Sequence, residues 1–359
     1  MPEPAYWVAF SHLPGIGPRR FDRLLEHLGT AAGAWSAPDS VLLRLFPGAV
    51  GERLVAARRE LDPEVCWRAV ERAGIRVLLR SDPRYPPRLA AIADPPFLLY
   101  LHGTLPADDA AVAIVGSRRA SPYGLAVAES LGRDLARAGV WVVSGLARGV
   151  DTAAHRGALN AGGRTLAVLG SGLERVYPPE ARSLARAIAA TGGVVSEFSP
   201  NTPPLAAHFP VRNRIIAGLS LGVVVVEGAA DSGALITAQM AAEEGREVMG
   251  VPGPVTSQGS RGPHSLIRDG AALVESARDV LEVLGLHVPD PPAPATEADL
   301  KEDHHRLLSE LSLEPRLPEA LAQRTGLEPG EVLAALLLLE TAGRVRRVGA
   351  GYIALPTGS

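Results

Sequence analysis

AVAIVGS (Ala111–Ser117), VWVVSG (Val140–Gly145), TLAVLGSG (Thr165–Gly172), VVSEF (Val194–Phe198), GVVVVEG (Gly222–Gly228) and EVMGVPG (Glu247–Gly253) decide the fold. Nearly every one of these short apolar runs stops at a glycine, a serine or an acidic residue, and segments of helical periodicity lie between them. Strands buried on both faces read as continuous apolar runs, and strands alternating with helices predict parallel pairing with crossover helices. The expected fold is α/β with a Rossmann-like parallel sheet as its core. In such sheets ligands bind beyond the carboxyl ends of the strands. Here those ends carry GSRR, SGLARG, GSG, SEF and VEGAADSG, rich in glycine, serine and arginine, which suits an anionic ligand.

The rest of the chain narrows the class. Its 359 residues are enough for two or three domains, and 47% hydrophobic content marks a globular protein. A net charge of −3 excludes a generally basic surface, so nucleic-acid contact has to come from a local patch. The single cysteine, Cys66, excludes an intrachain disulfide and a cysteine zinc site, and reads as a buried apolar residue. No basic segment followed by an apolar stretch opens the sequence, and the apolar runs are too short to span a bilayer; a cytoplasmic protein without membrane contact is expected. Lys301 is the only lysine and no Gly-Lys pair exists, which excludes a Walker-type phosphate loop. Arginine, with its planar fork, remains as the phosphate ligand.

Outward from the sheet, residues 1–75 read as a helical module. Leu13-Pro14-Gly15-Ile16-Gly17-Pro18 precedes an amphipathic run, Arg19–Leu28, with an echo at Leu45–Gly51 before Glu52–Leu61. The pattern resembles a SAM- or helix-hairpin-helix-like module, whose glycines admit a phosphate at a helix N-terminus; it equally makes a compact turn between packed helices. Residues 76–110 link this module to the sheet and carry strands at Ile75–Leu79 and Phe97–Leu101. The sheet domain is expected over 76–286, a Pro-rich linker over 287–302, and a last module over 303–359. In that module a helix at Glu328–Gly343, with Val332, Leu333, Leu336, Leu337 and Leu339 on its apolar side, precedes two strands about a Gly-Ala-Gly turn, which predicts a winged helix. Its reading helix has few basic or amide side chains for base edges, which favours protein contact over base recognition. Ala271–Leu286 reads as a helix whose apolar face packs on its own sheet or, in part, forms a two-fold contact.

Four constellations carry candidate chemistry; one, Glu227–Ala234, is a strand-to-helix turn with exposed amides whose Glu227 and Asp231 work against simple anion binding and suit ion pairs that hold the arginines. Gly116, Ser117, Arg118 and Arg119 follow a strand and open a helix, an anion-binding arrangement. It is not GxGxxG and no acid ends the next strand, so a dinucleotide is not indicated and no cofactor is expected. Gly145 and Arg148 lie in SGLARG; Asp151 and His155, four residues on, share a helix face and suit either a structural hydrogen bond or an acid–base or metal pair. In HFPVRNRIIAGLS, Pro210 predicts a helix start, which places Arg212, Asn213 and Arg214 in the first turn. Arginines there oppose the helix dipole, a conflict that a bound phosphate relieves.

GSRRASPYG, SGLARGVDTAAH, LGSGLERVYP, SEF, HFPVRNRIIAGLS, VVVVEGAADSGALITAQMA, GREVMGVPGP and HSLIRDGA, in this order, closely resemble the DNA-processing protein A (DprA/Smf) family. The resemblance implies a non-enzymatic binder of single-stranded DNA that protects incoming DNA and loads RecA recombinase in natural transformation. The implied partners are single-stranded DNA, RecA, the single-strand-binding protein and a second copy of the chain. The DNA contacts it implies are Gly116, Ser117, Arg118, Gly145, Arg148, Arg212 and Arg214, beside which Arg119 and Asn213 stand in the same motifs. The family often has lysine and asparagine after Tyr-Pro, where this chain has Pro179, Glu180 and Ala181, which leaves Arg175 or Arg182 to replace a missing cation. His264 stands where asparagine is common. A rival reading is a Rossmann-like phosphoribohydrolase of nucleoside monophosphates, but Glu227–Gly233 lacks that group's glycine pair and matching glutamate.

Overall fold

The computed structural model describes residues 1–106, 108–288, 302–312, 315–341 and 344–354; residues 289–301 of the expected Pro-rich linker lie outside the described residues. The chain divides into two units, 1–288 and 289–359. The first is built on a nine-stranded sheet of β1 (Arg76–Leu79), β2 (Leu98–Gly103), β3 (Ala111–Val115), β4 (Trp141–Ser144), β5 (Thr165–Val168), β6 (Gly193–Ser196), β7 (Gly222–Val225), β8 (Glu247–Gly250) and β9 (Ala272–Leu273). The order is β1-β2-β6-β5-β4-β3-β7-β8-β9. All six apolar runs form strands, and these six pair in parallel with one another.

The apolar pattern works as a strand requires. Along β3, Ala111, Ala113 and Val115 enter one buried cluster while Val112 and Ile114 enter another, on the opposite face. Helices Pro122–Arg137 and Val150–Asn160 contribute to the second cluster, and His208–Leu219 and Gly233–Glu243 to the first. Each fully buried valine or isoleucine contributes about 1.5–3 kcal/mol relative to exposure. From β3 the chain runs through β4 and β5 to β6 on one side, then returns to place β7 on the other flank of β3. The loops leaving β3 and β7 therefore part to opposite faces, and a crevice opens between them.

Two expectations need correction here. Residues 76–110 do not merely link: β1 and β2 pair antiparallel, and β2 adds antiparallel to β6 with Tyr100 opposite Ser196 and His102 opposite Val194, extending the sheet. Ala271–Leu286 is not one helix. It begins with β9, and the capping box of Ser276 and Asp279 starts a separate helix, Ala277–Val283. Val274, Ala277, Val280 and Leu281 are buried against their own unit, while Leu273 on the edge strand is 50% exposed.

The N-terminal helices share a core with the sheet. Trp7, Phe10 and Phe21 belong to the same cluster as Phe97, Leu98 and Tyr100, with Phe21 stacked on Phe97 at 4.2 Å between centroids. The predicted hairpin forms between helices Glu3–Ser11 and Pro18–Leu28, with Leu13 and Ile16 buried beneath it and Arg20 donating to Gly15 O at 2.6 Å. In the second unit, helices Glu302–Glu310, Pro318–Thr325 and Pro329–Thr341 precede the hairpin of β10 (Val345–Val348) and β11 (Gly351–Ala354). Leu307, Leu321, Val332, Leu336, Leu339 and Val345 form its core. Leu333, expected on the apolar side, is 52% exposed instead.

Candidate nucleic-acid interface

The crevice at the strand ends is a groove of about 700 Å³, continuous with a smaller recess of about 260 Å³ through Arg118, Arg119, Ala147, Tyr177 and Phe209. Five segments distant in sequence build it: the loops after β3, β4 and β5, helix His208–Leu219 with the residues just before it, and the loop after β7 with the start of helix Gly233–Glu243. Two close approaches lock the first two loops. Gly149, at φ +77°, lies against Ser117 O, where an added Cβ would come within 2.2 Å. Val150 N also donates to Ser117 O, and Ser117 N donates to Glu227 O at the end of β7. Glu227 is buried, and its carboxylate accepts from Ser121 N and Ser121 Oγ, so it is committed to holding the loop after β3.

The expected cations divide sharply. Arg118 and Arg119 are exposed, line both parts of the groove and form no ion pair among the described residues. The Arg118 guanidinium lies 5.1 Å from the centre of the Phe209 ring, and Tyr177 stands 5.9 Å from the same ring. Arg148 lines the recess and is exposed, but its Nε donates to Glu180 Oε1 at 2.6 Å. Arg175 is exposed and lies outside the groove lining.

Arg212, Asn213 and Arg214 do not lie in a first helical turn. The helix starts at His208, two residues before Pro210, because the first turn needs no N–H from any of its residues and tolerates the proline inside it. Arg212 is 4% exposed and forms part of the groove floor. Its Nη1 donates to Gly145 O at 2.9 Å and to Val168 O, and its Nε donates to Asn213 Oδ1 at 3.2 Å. Burial pushes its pKa down to about 10, against the pull of the Asp151 carboxylate, and the Arg118 charge adds to the lowering. Arg214 lies outside the groove lining, with Glu197 Oε2 at 2.6 Å and Asp94 Oδ2 at 3.6 Å. With no arginine in the first turn the expected dipole conflict does not arise, and both guanidiniums are matched by protein partners.

Gly145 has a different part from the one expected. Its amide donates to Asp151 Oδ2 at 3.0 Å, as does Ala147 N at 3.2 Å, so the carboxylate occupies the amides that an anion was expected to use. A Cβ at Gly145 would come within 2.4 Å of the Arg212 guanidinium, which explains glycine there. His155 is fully buried and does not pair with Asp151. Thr165 Oγ1 donates its one hydrogen to Val142 O, so it accepts from His155 Nδ1–H at 2.7 Å, and Nε2 faces the interior without a partner. Burial, with the Arg212 charge, lowers the His155 pKa to about 3. No group of three metal-ligating side chains occurs among the described residues. The pairing of Arg148 with Glu180, and of Arg214 with Glu197 and Asp94, was not foreseen; the one sequence signal was the acid within SEF, Glu197.

Comparison with known proteins agrees with this architecture. A sequence profile of the family described as DNA recombination-mediator protein A matches residues 76–285, and that of the DprA winged helix domain matches residues 291–351. Protein Smf of Escherichia coli (strain K12) is 41% identical over 307 residues, covering 83% of this chain and 82% of that protein. The X-ray structure of DNA processing protein A from Streptococcus pneumoniae is similar with a TM-score of 0.71 at 35% identity, covering 79% of this chain and 99% of that one. DNA processing protein A from Helicobacter pylori, whose structure concerns its single-stranded-DNA binding mode, is similar with a TM-score of 0.54 at 28% identity, covering 59% of this chain and 97% of that one. The sheet, its strand-end motifs and the C-terminal winged helix place this chain in the DNA recombination-mediator protein A (DprA/Smf) family.

Proposed function

We propose that this chain binds single-stranded DNA in the groove between the ends of β3 and β7 and delivers it to RecA recombinase during natural transformation. The observation that carries the reading is the pair Arg118 and Arg119: exposed, free of ion pairs among the described residues, and set beside Tyr177 and Phe209. Unneutralised guanidiniums attract phosphates, and adjacent aromatic faces suit stacked bases of any sequence. Single-stranded-DNA binding by the similar Helicobacter pylori protein supports the ligand, and the matched family's designation as a recombination mediator supports the delivery. Arg148 and Asn213 complete the polar contacts; Arg212, Gly116, Ser117 and Gly145 hold the surface in shape.

The protein acts as a homodimer in this reading, because two linked sites raise avidity on one strand. Leu273, half exposed on the edge strand β9, is the place to test it: Leu273→Arg should give monomers by light scattering. The central test is a gel shift with single- and double-stranded DNA over a range of salt, followed by RecA nucleation on strands coated with single-strand-binding protein. Preference for single strands and faster nucleation are expected. Absence of single-strand binding by the folded protein removes the reading.

A further inference from the structure

Of the three exposed arginines around the recess, Arg118, Arg119 and Arg148, only Arg148 has a carboxylate on it among the described residues. The carboxylate is Glu180, in the short turn Pro179–Ala181 that follows Tyr177 and Pro178. The contact joins the loop after β4 to the loop after β5 at the edge of the recess. Both side chains are more than half exposed, at 59% and 58%. An exposed pair of this kind contributes little to folding stability. Its larger effect is on what Arg148 can offer: with a carboxylate oxygen 2.6 Å from its Nε, the guanidinium already has an anionic partner before any phosphate arrives.

We propose that Glu180 is an intramolecular competitor for the phosphate that Arg148 would bind, and that it keeps the bound strand exchangeable. The inference rests on the single-stranded-DNA reading. A phosphate reaching Arg148 either displaces the carboxylate or lies beside a like charge, and both outcomes weaken the contact. Arg118 and Arg119 carry no such competitor among the described residues. The rim therefore has two cations that hold the backbone firmly and one that yields, an arrangement suited to a protein that must pass its ligand on.

The test measures binding of a fluorescent oligothymidylate over a range of salt by wild type, Glu180→Gln, Arg148→Ala and the double variant. Glu129→Gln, an exposed helix position outside the groove lining, controls for net charge. Glu180→Gln is expected to tighten binding about two- to fivefold, the range an exposed pair spans. It should also steepen the log–log salt dependence by about 0.7, one further phosphate. The gain should vanish in the Arg148→Ala background. The proposal is overturned if wild type binds and Glu180→Gln binds no better, if Glu129→Gln gives an equal gain, or if the gain persists without Arg148. A wild type that does not bind removes the function reading and this inference together.

Discussion

The floor and the rim of the groove use the same side chain to opposite ends. On the floor, Arg212 is enclosed, donates to two main-chain carbonyls and feels the Asp151 carboxylate. On the rim, Arg118 and Arg119 stand in solvent without an ion pair among the described residues. A guanidinium taken out of water has to be matched by its surroundings, so the floor arginine fixes the loop after β4 and the end of β5 in one arrangement. A guanidinium left in water is matched only when a ligand arrives. Proximity to a groove therefore does not identify a binding residue; what already neutralises the charge does.

The largest expected effect belongs to the floor. Arg212→Ala strands the buried Asp151 carboxylate and two carbonyls, and should lower unfolding free energy by about 3–5 kcal/mol in urea denaturation. A stable Arg212→Ala protein with weakened DNA binding would break the comparison, because Arg212 would then be a contact. Next comes His155. Its folded pKa, about 3, lies below its unfolded value, so the unfolded chain takes up a proton that the folded one refuses. Its contribution is complete above about pH 6.5 and is lost as pH falls below it, at up to about 1.4 kcal/mol per unit, or about 2 kcal/mol at pH 5. His155→Asn should flatten stability against pH by one proton over this window; an unchanged slope would remove the histidine from the account.

The rim gives a smaller effect of another kind. Arg118→Ala with Arg119→Ala should change stability by no more than about 0.5 kcal/mol. The same double variant should lower the log–log salt slope for single-stranded DNA by about 1.4, two phosphates. Loss of stability without loss of binding would assign these arginines to the floor. The smallest effect is expected from removing 289–359: the rim lies wholly within 1–288, so single-strand affinity should stay within about twofold.

Much of the fold was legible because its signals are local. Continuous apolar runs that stop at a glycine, a serine or an acid gave all six parallel strands, and Gly349–Gly351 gave the last hairpin. The attachment of β2 to β6 was not legible, since nothing in Leu98–Gly103 names a partner nearly a hundred residues away. The break before Ala277 was legible in Ser276 and Asp279, a capping signal that apolar periodicity masked. For the site, residue type and strand-end position found the right loops. They did not separate arginines already matched from those left free, because Asp94, Glu197 and Glu180 reach their arginines only through the tertiary fold.

The groove is assembled from strand ends and a helix that are far apart in the chain, so the unfolded polypeptide contains none of it. A ligand of this groove is consequently also a folding ligand. At a hundred times its dissociation constant it adds about 2.7 kcal/mol to the unfolding free energy, with no contact altered elsewhere. A DNA strand bound there would thus protect the protein from unfolding and proteolysis, and its release would leave the chain more exposed.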